Sequence, residues 1–563
     1  MRFRKILGLA IAGAILLPTL PSLGGCAASE EIVLRVYNWE EYIDEGGEGA
    51  FIYDELHLED ESYIVNDDFT DWYEETMGEK LDVEGPTVLD DFCLWYEKEY
   101  GQPIRVEYST FGTNEDMYNE IVLGNEYDLL CPSDYMIMKL AAEGRLEKYD
   151  ESFFNEADPN NYYVRNVSPF IREKFENNAG LEIRTDDEGE PILWRDYAAG
   201  YMWGTTGFVY NPEHVTSEDL ERLGWEIYTD SLYSGKITAK DNVRDTYFAA
   251  LGVTYQNELL SLKHRFEQGS LSQADYVYEV TRIFNATDEE TVSEVEPVLM
   301  AIKNNIYSFE TDTGKSDMVK GNVYLNYAWS GDAVYALDLG EDSEDGEGYV
   351  ELNYYVPEAG SNLWFDGWVM PKGANKQAAQ AFVNFMSMPY NAMRNSYYIG
   401  YTSVISGENC EMLDYADYLY GYYPEEEFEE GEEYEEAVDY DLTYFFLGEN
   451  YDESEEPITI PADPVQATCR QLYAQFPPRE VIARSAVMDY YDVEANERIN
   501  ELWSRVKAES LDAWAIIVLC VTAVAIVFGV VFIKFGDKID LLHPKPKKGY
   551  RLVKQEEVND KGA

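Results

Sequence analysis

The chain has 563 residues, and its 109 acidic and 42 basic side chains give a formal net charge of −67. A surface this acidic attracts cations and repels nucleic acid, which argues against a nucleic-acid-binding protein. Aromatic residues make up 15% of the chain, which is too many for a disordered acidic polypeptide. The composition therefore predicts a folded protein with an acidic surface, long enough to form two lobes.

The chain begins with the features of a secretion signal. Residues 1–5 are basic, an apolar run follows from Ile6 to Leu20, and the run closes on Leu-Gly-Gly before Cys26. Small residues before a single cysteine resemble a bacterial lipobox. We therefore expect residues 1–25 to be a lipoprotein signal peptide and Cys26 to be lipidated. An ordinary signal peptide followed by an incidental cysteine is the alternative.

A second apolar run, residues 513–533, is long enough to cross a bilayer as a helix. The lysines that follow it favour a cytoplasmic basic tail over residues 534–563. They are Lys534, Lys538, Lys545, Lys547 and Lys548. We expect the chain from Cys26 to Asp512 to lie on the outer face of the bacterial cytoplasmic membrane, anchored at both ends.

The cysteines and histidines do not form a metal-binding pattern. Four cysteines of the exported part, Cys93, Cys131, Cys410 and Cys469, have no Cys-X-X-Cys spacing, and the four histidines of the chain are isolated. We expect no metal and no cofactor. One or two disulfides outside the cell remain open, because cysteine pairing cannot be read from the sequence.

The first predicted strand runs from Leu34 to Trp39, and Glu40, Glu41 and Tyr42 follow it at once. Open α/β sheets place ligand contacts at strand ends. Carboxylates flanked by rings suit a ligand that is both cationic and partly apolar, since carboxylates pair with ammonium groups and rings pack on methylenes. A core tryptophan beside solvated acids is the alternative interpretation.

Helix and strand patterns alternate after this strand. The predicted elements are a helix over 88–100, a strand over 104–108, a helix over 114–123 capped by Asn114, and a buried strand over 127–135 that ends in a turn. This alternation predicts an α/β fold with a parallel sheet.

Two acidic segments interrupt the pattern, at residues 44–84 and 415–456. Neither has a clear hydrophobic period, so both are predicted to be surface insertions. A solvated, self-repelling loop is one interpretation, and a segment that collects cations is the other.

Seven blocks in order resemble the spermidine/putrescine-binding proteins of bacterial ABC importers. They span residues 36–42, 128–135, 203–207, 241–252, 326–331, 364–366 and 399–401, and the predicted last helix, 495–507, is also similar to that of the family. The resemblance covers most of residues 31–507 outside the two acidic segments. It implies a two-lobed α/β fold like that of periplasmic binding proteins, whose lobes close on a linear polyamine.

The resemblance also implies where the chain crosses between lobes. The crossings would fall near Gly204 and Thr205, near residues 364–366, and after Tyr401. The first lobe would then comprise residues 31–204 with 366–403, and the second lobe residues 205–365 with 404–507.

Ligand-binding residues follow from the resemblance position by position. The aromatic box would be Trp39, Tyr42, Tyr135, Trp329, Trp364 and Tyr401; the ammonium-pairing acids Glu41, Asp245 and Asp366; and the smaller polar contacts Glu40 and Ser133. Each desolvated ammonium needs such an acid. Asn242, also assigned to the site, stands where some relatives carry an acid. The choice between putrescine and spermidine is therefore open.

The implied function is that of the extracellular substrate-binding component of an ABC importer, which delivers a polyamine to permease and ATPase subunits. The sequence does not favour an enzyme. Residues 313–316 resemble a phosphate loop but lack its first glycine. Residues 341–346 resemble the start of a calcium loop, but the closing glutamate is missing. A membrane-tethered polyamine or cation sensor, or a surface protein that keeps the same fold, is the alternative. A C-terminal membrane helix is atypical of the family.

Overall fold

The computed structural model describes residues 31–46, 87–186, 189–341, 349–424, 434–451 and 456–508. Residues up to Trp503 belong to one unit, and a second unit begins at Ser504. The signal peptide, Cys26, the apolar run 513–533, the basic tail and most of the acidic segment 44–84 lie outside the described residues. Within the described part, no helix is both long enough and apolar enough to span a membrane.

The strands are β1 Ile32–Trp39, β2 Ile104–Phe111, β3 Leu129–Leu130, β4 Leu146–Glu147, β5 Ala198–Tyr210, β6 Ile237–Lys240, β7 Ser308–Glu310, β8 Leu325–Trp329, β9 Asn353–Tyr355, β10 Leu363–Pro371, β11 Thr402–Ser403, β12 Val438–Asp441 and β13 Thr459–Ala462. The α-helices are Val88–Tyr100, Asn114–Leu123, Asp134–Ala142, Tyr162–Asn166, Pro169–Glu176, Trp194–Tyr197, Ser217–Leu223, Val243–Glu267, Gln273–Phe284, Glu289–Asn305, Gly314–Val319, Ser330–Glu341, Lys376–Met386, Pro389–Ile399, Glu411–Tyr420, Thr443–Leu447, Gln466–Cys469, Gln471–Gln475, Arg479–Ala483 and Val493–Lys507.

The main sheet has the order β2-β1-β3-β10-β5-β8-β6-β7. In its first half, β1 pairs in parallel with β2 and β3; in its second half, β6 pairs in parallel with β7 and β8. The central strands β10 and β5 run antiparallel to each other, and also to β3 and β8 respectively. The protein is thus built of two parallel α/β halves joined through two antiparallel strands.

Strand β5 passes from one half to the other. All of its 13 residues are buried. Residues 198–205 pair with β10, and residues 206–210 pair with β8, so the partner changes after Thr205. Gly204 is required beside this point, because a Cβ there would lie 2.2 Å from the Ser330 hydroxyl and 2.8 Å from the Trp364 ring.

Several predicted elements are confirmed, with small differences. The helix Val88–Tyr100 has the predicted bounds, and β2 begins as predicted. The helix at 114–123 is also present, but its N-cap is Thr113, whose hydroxyl accepts the Asp116 N–H, rather than Asn114. The predicted strand over 127–135 shrinks to β3, because Pro132 has no N–H to donate and a helix begins at Asp134.

The described residues that flank the first acidic segment lie together. Arg394 is fully buried and forms ion pairs with both Asp44 and Asp91. The two acids stand on either side of residues 47–86, so one arginine holds both ends of that segment. This arrangement is what an insertion between neighbouring points of the fold requires.

The second acidic segment differs from the expectation of a solvated loop. Its strand β12 pairs with β13, and Phe445 is 0% exposed, with its ring stacked on that of Trp203 at a centroid distance of 5.9 Å. The interpretation as a solvated, self-repelling loop is therefore wrong for the described part of the segment. Buried rings at residues 440–446 stabilise it, while the neighbouring acids Asp439 and Asp441 stay exposed to solvent.

The same segment packs on the first half, although residues 404–507 were predicted to belong to the second lobe. The Ser168 hydroxyl donates to the backbone oxygen of Phe445, and Lys174 pairs with Glu449 at 2.7 Å. Ser168 and Lys174 belong to the region assigned to the first lobe. The lobe boundary after Tyr401 stays a prediction, and these contacts connect residues 445–449 with the region assigned to the first lobe.

Cys93, Cys131, Cys410 and Cys469 are all free thiols. The one or two disulfides left open by the sequence are therefore not formed among these residues. Within the described ranges, no group of three or more His, Cys, Asp or Glu side chains is arranged to hold a metal ion.

Candidate functional site

The carboxyl ends of four parallel strands carry residues that the sequence assigns to ligand binding. Strand β1 ends at Trp39 and β8 ends at Trp329, while β3 leads to Ser133 and β6 leads to Asn242 and Asp245. In open α/β sheets, ligands bind at such ends where the strand order reverses direction.

Asp366 lies at the centre of a first group. The Tyr42 hydroxyl donates to Asp366 Oδ2 at 2.8 Å, and Ser133 forms an antiparallel bridge with Asp366. Tyr42 is 5% exposed and Asp366 is 6% exposed. Asp366 Oδ1 is buried without a hydrogen-bond partner among the described residues.

The protonation of Asp366 follows from this burial. Desolvation raises the pKa of Asp366 to about 7, and the hydrogen bonds from Ser133 and Tyr42 act in the opposite direction. Within the described part of the chain, no lysine or arginine lies at ion-pair distance from Asp366. The carboxylate is therefore a buried acceptor with one oxygen left for a cation.

Rings surround this carboxylate. The Tyr401 ring meets the ring of Tyr42 at 5.1 Å and that of Trp364 at 5.5 Å, both nearly edge to face. The Trp364 indole N–H donates to the Thr205 backbone oxygen at 3.2 Å. Gly331 permits this packing, since a Cβ there would lie 2.1 Å from the Tyr401 ring. We call Tyr42, Trp364, Asp366 and Tyr401 the Asp366 cluster.

A second group forms around Asp245, which is buried at the start of the helix Val243–Glu267. Desolvation raises the pKa of Asp245 to about 6, while the charge of Lys240 and a hydrogen bond from Trp329 lower it. In the described residues, Asp245 has no lysine or arginine at ion-pair distance. We call Asp245 and Trp329 the Asp245 pair.

Tyr135 is held beside this pair by its own network. Its hydroxyl accepts from the Asn114 amide at 3.1 Å and lies 3.2 Å from Glu115 Oε1, to which it donates. The Arg244 guanidinium lies 4.1 Å from the Tyr135 ring centroid and 3.6 Å from that of Tyr491. An internal cation thus covers a ring that the sequence assigns to the ligand.

A cluster of buried charges joins the two groups. Lys240 Nζ lies 4.2 Å from the centroid of the Trp329 ring, 3.5 Å from Glu310 Oε1 and 3.4 Å from Asp332 Oδ2. The Tyr401 hydroxyl donates to Asp332 Oδ1 at 3.0 Å. Through Asp332, the Asp366 cluster is therefore connected to Lys240 and to the Trp329 ring.

Lys315 completes the charge cluster. Its Nζ lies 2.6 Å from Asp312 Oδ1 and 3.4 Å from Asp332 Oδ1. Burial acts to raise the pKa of Asp332, but the charges of Lys315 and Lys240 outweigh it and hold that pKa below its usual value. Asp332 is therefore ionised and shared between two lysines.

The sequence did not assign Lys240, Lys315, Asp332 or Arg244 to the site. Lys240 directly precedes the block at 241–252, and Asp332 directly follows the block at 326–331. Their positions beside the blocks were a signal for membership of the site. In a chain with 42 basic and 109 acidic residues, however, a charged residue beside a block is also expected by chance.

The other predicted residues lie at the margin of these groups. The Trp39 ring packs on Phe111 at 4.6 Å, and Glu40 and Glu41 are exposed. Glu41 adopts a left-handed backbone conformation with φ of 51°, a strained geometry that concentrates at functional sites. The Asn242 side chain caps its helix by accepting the Arg244 N–H at 2.7 Å, which engages its carboxamide oxygen.

Known proteins share this fold and this sequence pattern. The chain is 24% identical over 300 residues to the spermidine/putrescine-binding periplasmic protein of Escherichia coli (strain K12), which covers 52% of this chain and 68% of that protein. It is 23% identical over 287 residues to the putrescine-binding periplasmic protein SpuD of Pseudomonas aeruginosa (strain UCBPP-PA14), covering 50% and 66%.

A solved structure with the same fold comes from Listeria monocytogenes, a protein proposed to be a spermidine/putrescine ABC transporter. It aligns with a TM-score of 0.51 and 22% identity over 84% of this chain and 98% of that one. The chain therefore has a two-lobed α/β fold like that of periplasmic binding proteins. The family pattern described as bacterial extracellular solute-binding protein matches residues 94–409. The chain belongs to the family of bacterial extracellular solute-binding proteins.

Proposed function

We propose that the protein is the extracellular substrate-binding component of an ABC importer and captures a linear polyamine, putrescine or spermidine. The observation that carries this proposal is the Asp366 cluster. A buried carboxylate with an oxygen free to accept lies among three rings, which is the environment that an ammonium on a methylene chain requires.

Two polyamine-binding relatives support the choice of ligand, and membership of a solute-binding family supports a role without catalysis. A second buried carboxylate, Asp245, lies beside Trp329 and supplies a second position for an ammonium. We assign Ser133 and Tyr135 to the interior of the same site, and Trp39, Glu40, Glu41 and Asn242 to its rim. The ligand would then be released to the permease, with an ATPase driving transport.

The ligand would lie between two lobes. The change of partner along β5 supports a crossing at Gly204 and Thr205, and the return would fall near Asp366 in β10. Residues 404–449 then join the first lobe, because they pack on Ser168 and Lys174.

We further propose that Cys26 carries a lipid and that residues 513–533 span the membrane, with the basic tail in the cytoplasm. The apolar length and the lysines that follow it support this topology. The binding lobes would then lie close to the membrane, within reach of a permease.

A thermal-shift panel of diamines, polyamines, amino acids and sugars tests the proposed function. A ligand that binds only the folded state raises the melting temperature in proportion to the logarithm of its concentration over Kd. We expect putrescine or spermidine to raise it and amino acids and sugars to leave it unchanged. A panel in which only amino acids or sugars act would contradict the proposal.

A further inference from the structure

Lys240 is a lysine built into the binding site. It ends strand β6, its side chain is 3% exposed, and it stands two residues before the helix cap Asn242. Its ammonium donates to the Thr311 backbone oxygen at 3.1 Å and pairs with Glu310 and Asp332. A buried lysine held by three oxygens has a fixed position, so its charge is a permanent feature of the cleft.

The ammonium of Lys240 lies against the Trp329 ring. Lys240 Nζ lies 4.2 Å from the centre of the Trp329 ring, which is the distance at which a ring attracts a cation. The charge of Lys240 also acts on Asp245, whose indole partner is the same Trp329. The face of Trp329 that Lys240 covers is therefore closed to a second cation, since like charges at this spacing repel.

The charge balance shows that Lys240 does not prepare the site for an anionic ligand. Lys240 and Lys315 are together paired with three acids, Glu310, Asp312 and Asp332. The cluster therefore carries one negative charge in excess and has no unpaired cation to offer. An added anion would meet this excess charge in a buried setting.

Two buried carboxylates of the site remain without an ion pair among the described residues, Asp245 and Asp366. Asp366 Oδ1 also lacks a hydrogen-bond partner there. Glu115 is largely buried too, but it accepts the Tyr135 hydroxyl and lies within the influence of the Arg244 charge. Two open, buried carboxylates match two ammonium groups.

We propose that Lys240 is a specificity-determining residue that restricts the site to diamines of the size of putrescine, because its own ammonium occupies the position of a third amine beside Trp329. The inference rests on the proposed function, that this site binds a linear polyamine. Lys240 would select the diamine by repelling the additional charge of a longer polyamine. Specificity then comes from repulsion of the longer polyamine as well as from attraction to the diamine.

Calorimetry of the full chain with putrescine and spermidine gives the first test. We expect putrescine to bind about tenfold or more tightly than spermidine, because the third ammonium of spermidine must displace or approach that of Lys240. Spermidine binding as tightly as putrescine, or more tightly, would overturn the inference while leaving the proposed function standing. Absence of binding by any amine would instead remove the proposed function itself.

The variant Lys240→Met keeps the length of the side chain and removes its charge. It frees the Trp329 face and leaves Glu310 and Asp332 to accept a third ammonium. The affinity for spermidine should therefore rise about tenfold relative to the affinity for putrescine. The double variant Lys240→Met/Glu310→Gln removes one charge of each sign and serves if the single variant does not fold. An unchanged spermidine-to-putrescine ratio in a folded variant would overturn the assignment to Lys240.

Lys174→Met is the matched control. Lys174 also pairs with an acid, Glu449 at 2.7 Å, and its ammonium also lies over a ring, that of Phe170 at 5.2 Å. None of these residues belongs to the site. The ratio of the two affinities should therefore stay at the wild-type value, and a change equal to that of Lys240→Met would show that lysine loss acts through stability alone.

Discussion

The Tyr42 hydroxyl donates a 2.8 Å hydrogen bond to Asp366, although the two residues lie 324 positions apart in the chain. Tyr42 follows β1 in the first half, and Asp366 lies in the central strand β10. The bond holds Oδ2 of the carboxylate, while Oδ1 is buried without a hydrogen-bond partner among the described residues. Orientation by a fixed hydroxyl prepares Asp366 to receive a cation before any ligand arrives.

The variant Asp366→Asn should weaken putrescine binding by about tenfold or more. Removing one partner of a desolvated charge pair costs about 2–5 kcal/mol, much of it from the ammonium left unpaired. Calorimetric titration of the full chain measures the change. Putrescine binding equal to that of the parent would show that Asp366 does not contact the ligand.

Asp128→Asn is the control for this substitution. Asp128 is also buried, and its oxygens accept the backbone N–H groups of Arg35 at 2.9 Å and Asn375 at 2.8 Å. It lies outside both groups of site residues. Its substitution should lower the free energy of unfolding and leave the affinity for putrescine unchanged.

Binding should release protons below neutral pH. Burial raises the pKa of Asp366 to about 7 and that of Asp245 to about 6, so both carboxyl groups are partly protonated near pH 6 in the free protein. An ammonium pairs with the ionised form, and each group must therefore lose its proton on binding. The affinity for putrescine should fall as the pH is lowered through this range.

Titration calorimetry near pH 6 in two buffers of different ionisation enthalpy counts the released protons. We expect a net release there and almost none near pH 8.5, where both carboxylates are already ionised. An affinity that does not change between these conditions would contradict the assignment of the two carboxylates to the ligand.

Phe445→Ala should lower the free energy of unfolding by about 3–5 kcal/mol, the usual cost of removing a buried ring. Phe445 is fully buried against Trp203 and Phe476. Val438→Ala, in the same acidic segment but at a residue 39% exposed, should change it by less than about 0.5 kcal/mol. Urea denaturation measures the free energy of unfolding of both variants. Equally small changes for Phe445→Ala and Val438→Ala would indicate that the segment is a solvated loop after all.

The anchors can be separated by two changes. Cys26→Ser should leave the protein in the membrane fraction, because a spanning helix is effectively permanent, whereas truncation after Lys507 should leave it held by lipid alone. Combining both changes should release it into the soluble fraction. Release by Cys26→Ser alone would mean that residues 513–533 do not anchor the chain.

Much of the fold could be predicted because its signals are local. The apolar spacing of Val88–Tyr100 and the β-branched run of β1 lie within single elements, and the structure confirms both. The resemblance placed Asp366 and Tyr401 in one site although they come from different parts of the chain. Both residues contact Tyr42 in the structure, and their role in ligand binding stays a prediction.

Two features could not be read from the sequence. The pair of Lys240 and Asp332 joins residues 92 apart, so it depends on the tertiary fold and leaves no local pattern. The burial of Phe445 was hidden by the acids around it, because composition averages over a segment in which one ring decides the packing. In both cases long-range contacts outweighed the local composition.

Calorimetric titration of the full chain with putrescine and with n-butylamine tests the central claim most directly. The two ligands share a four-carbon chain and differ in the number of ammonium groups, so their comparison isolates the contribution of the second carboxylate. We predict saturable binding of putrescine at one site and binding of n-butylamine that is weaker by about tenfold or more. No heat with putrescine or any other polyamine, or equal binding of n-butylamine, would contradict the account.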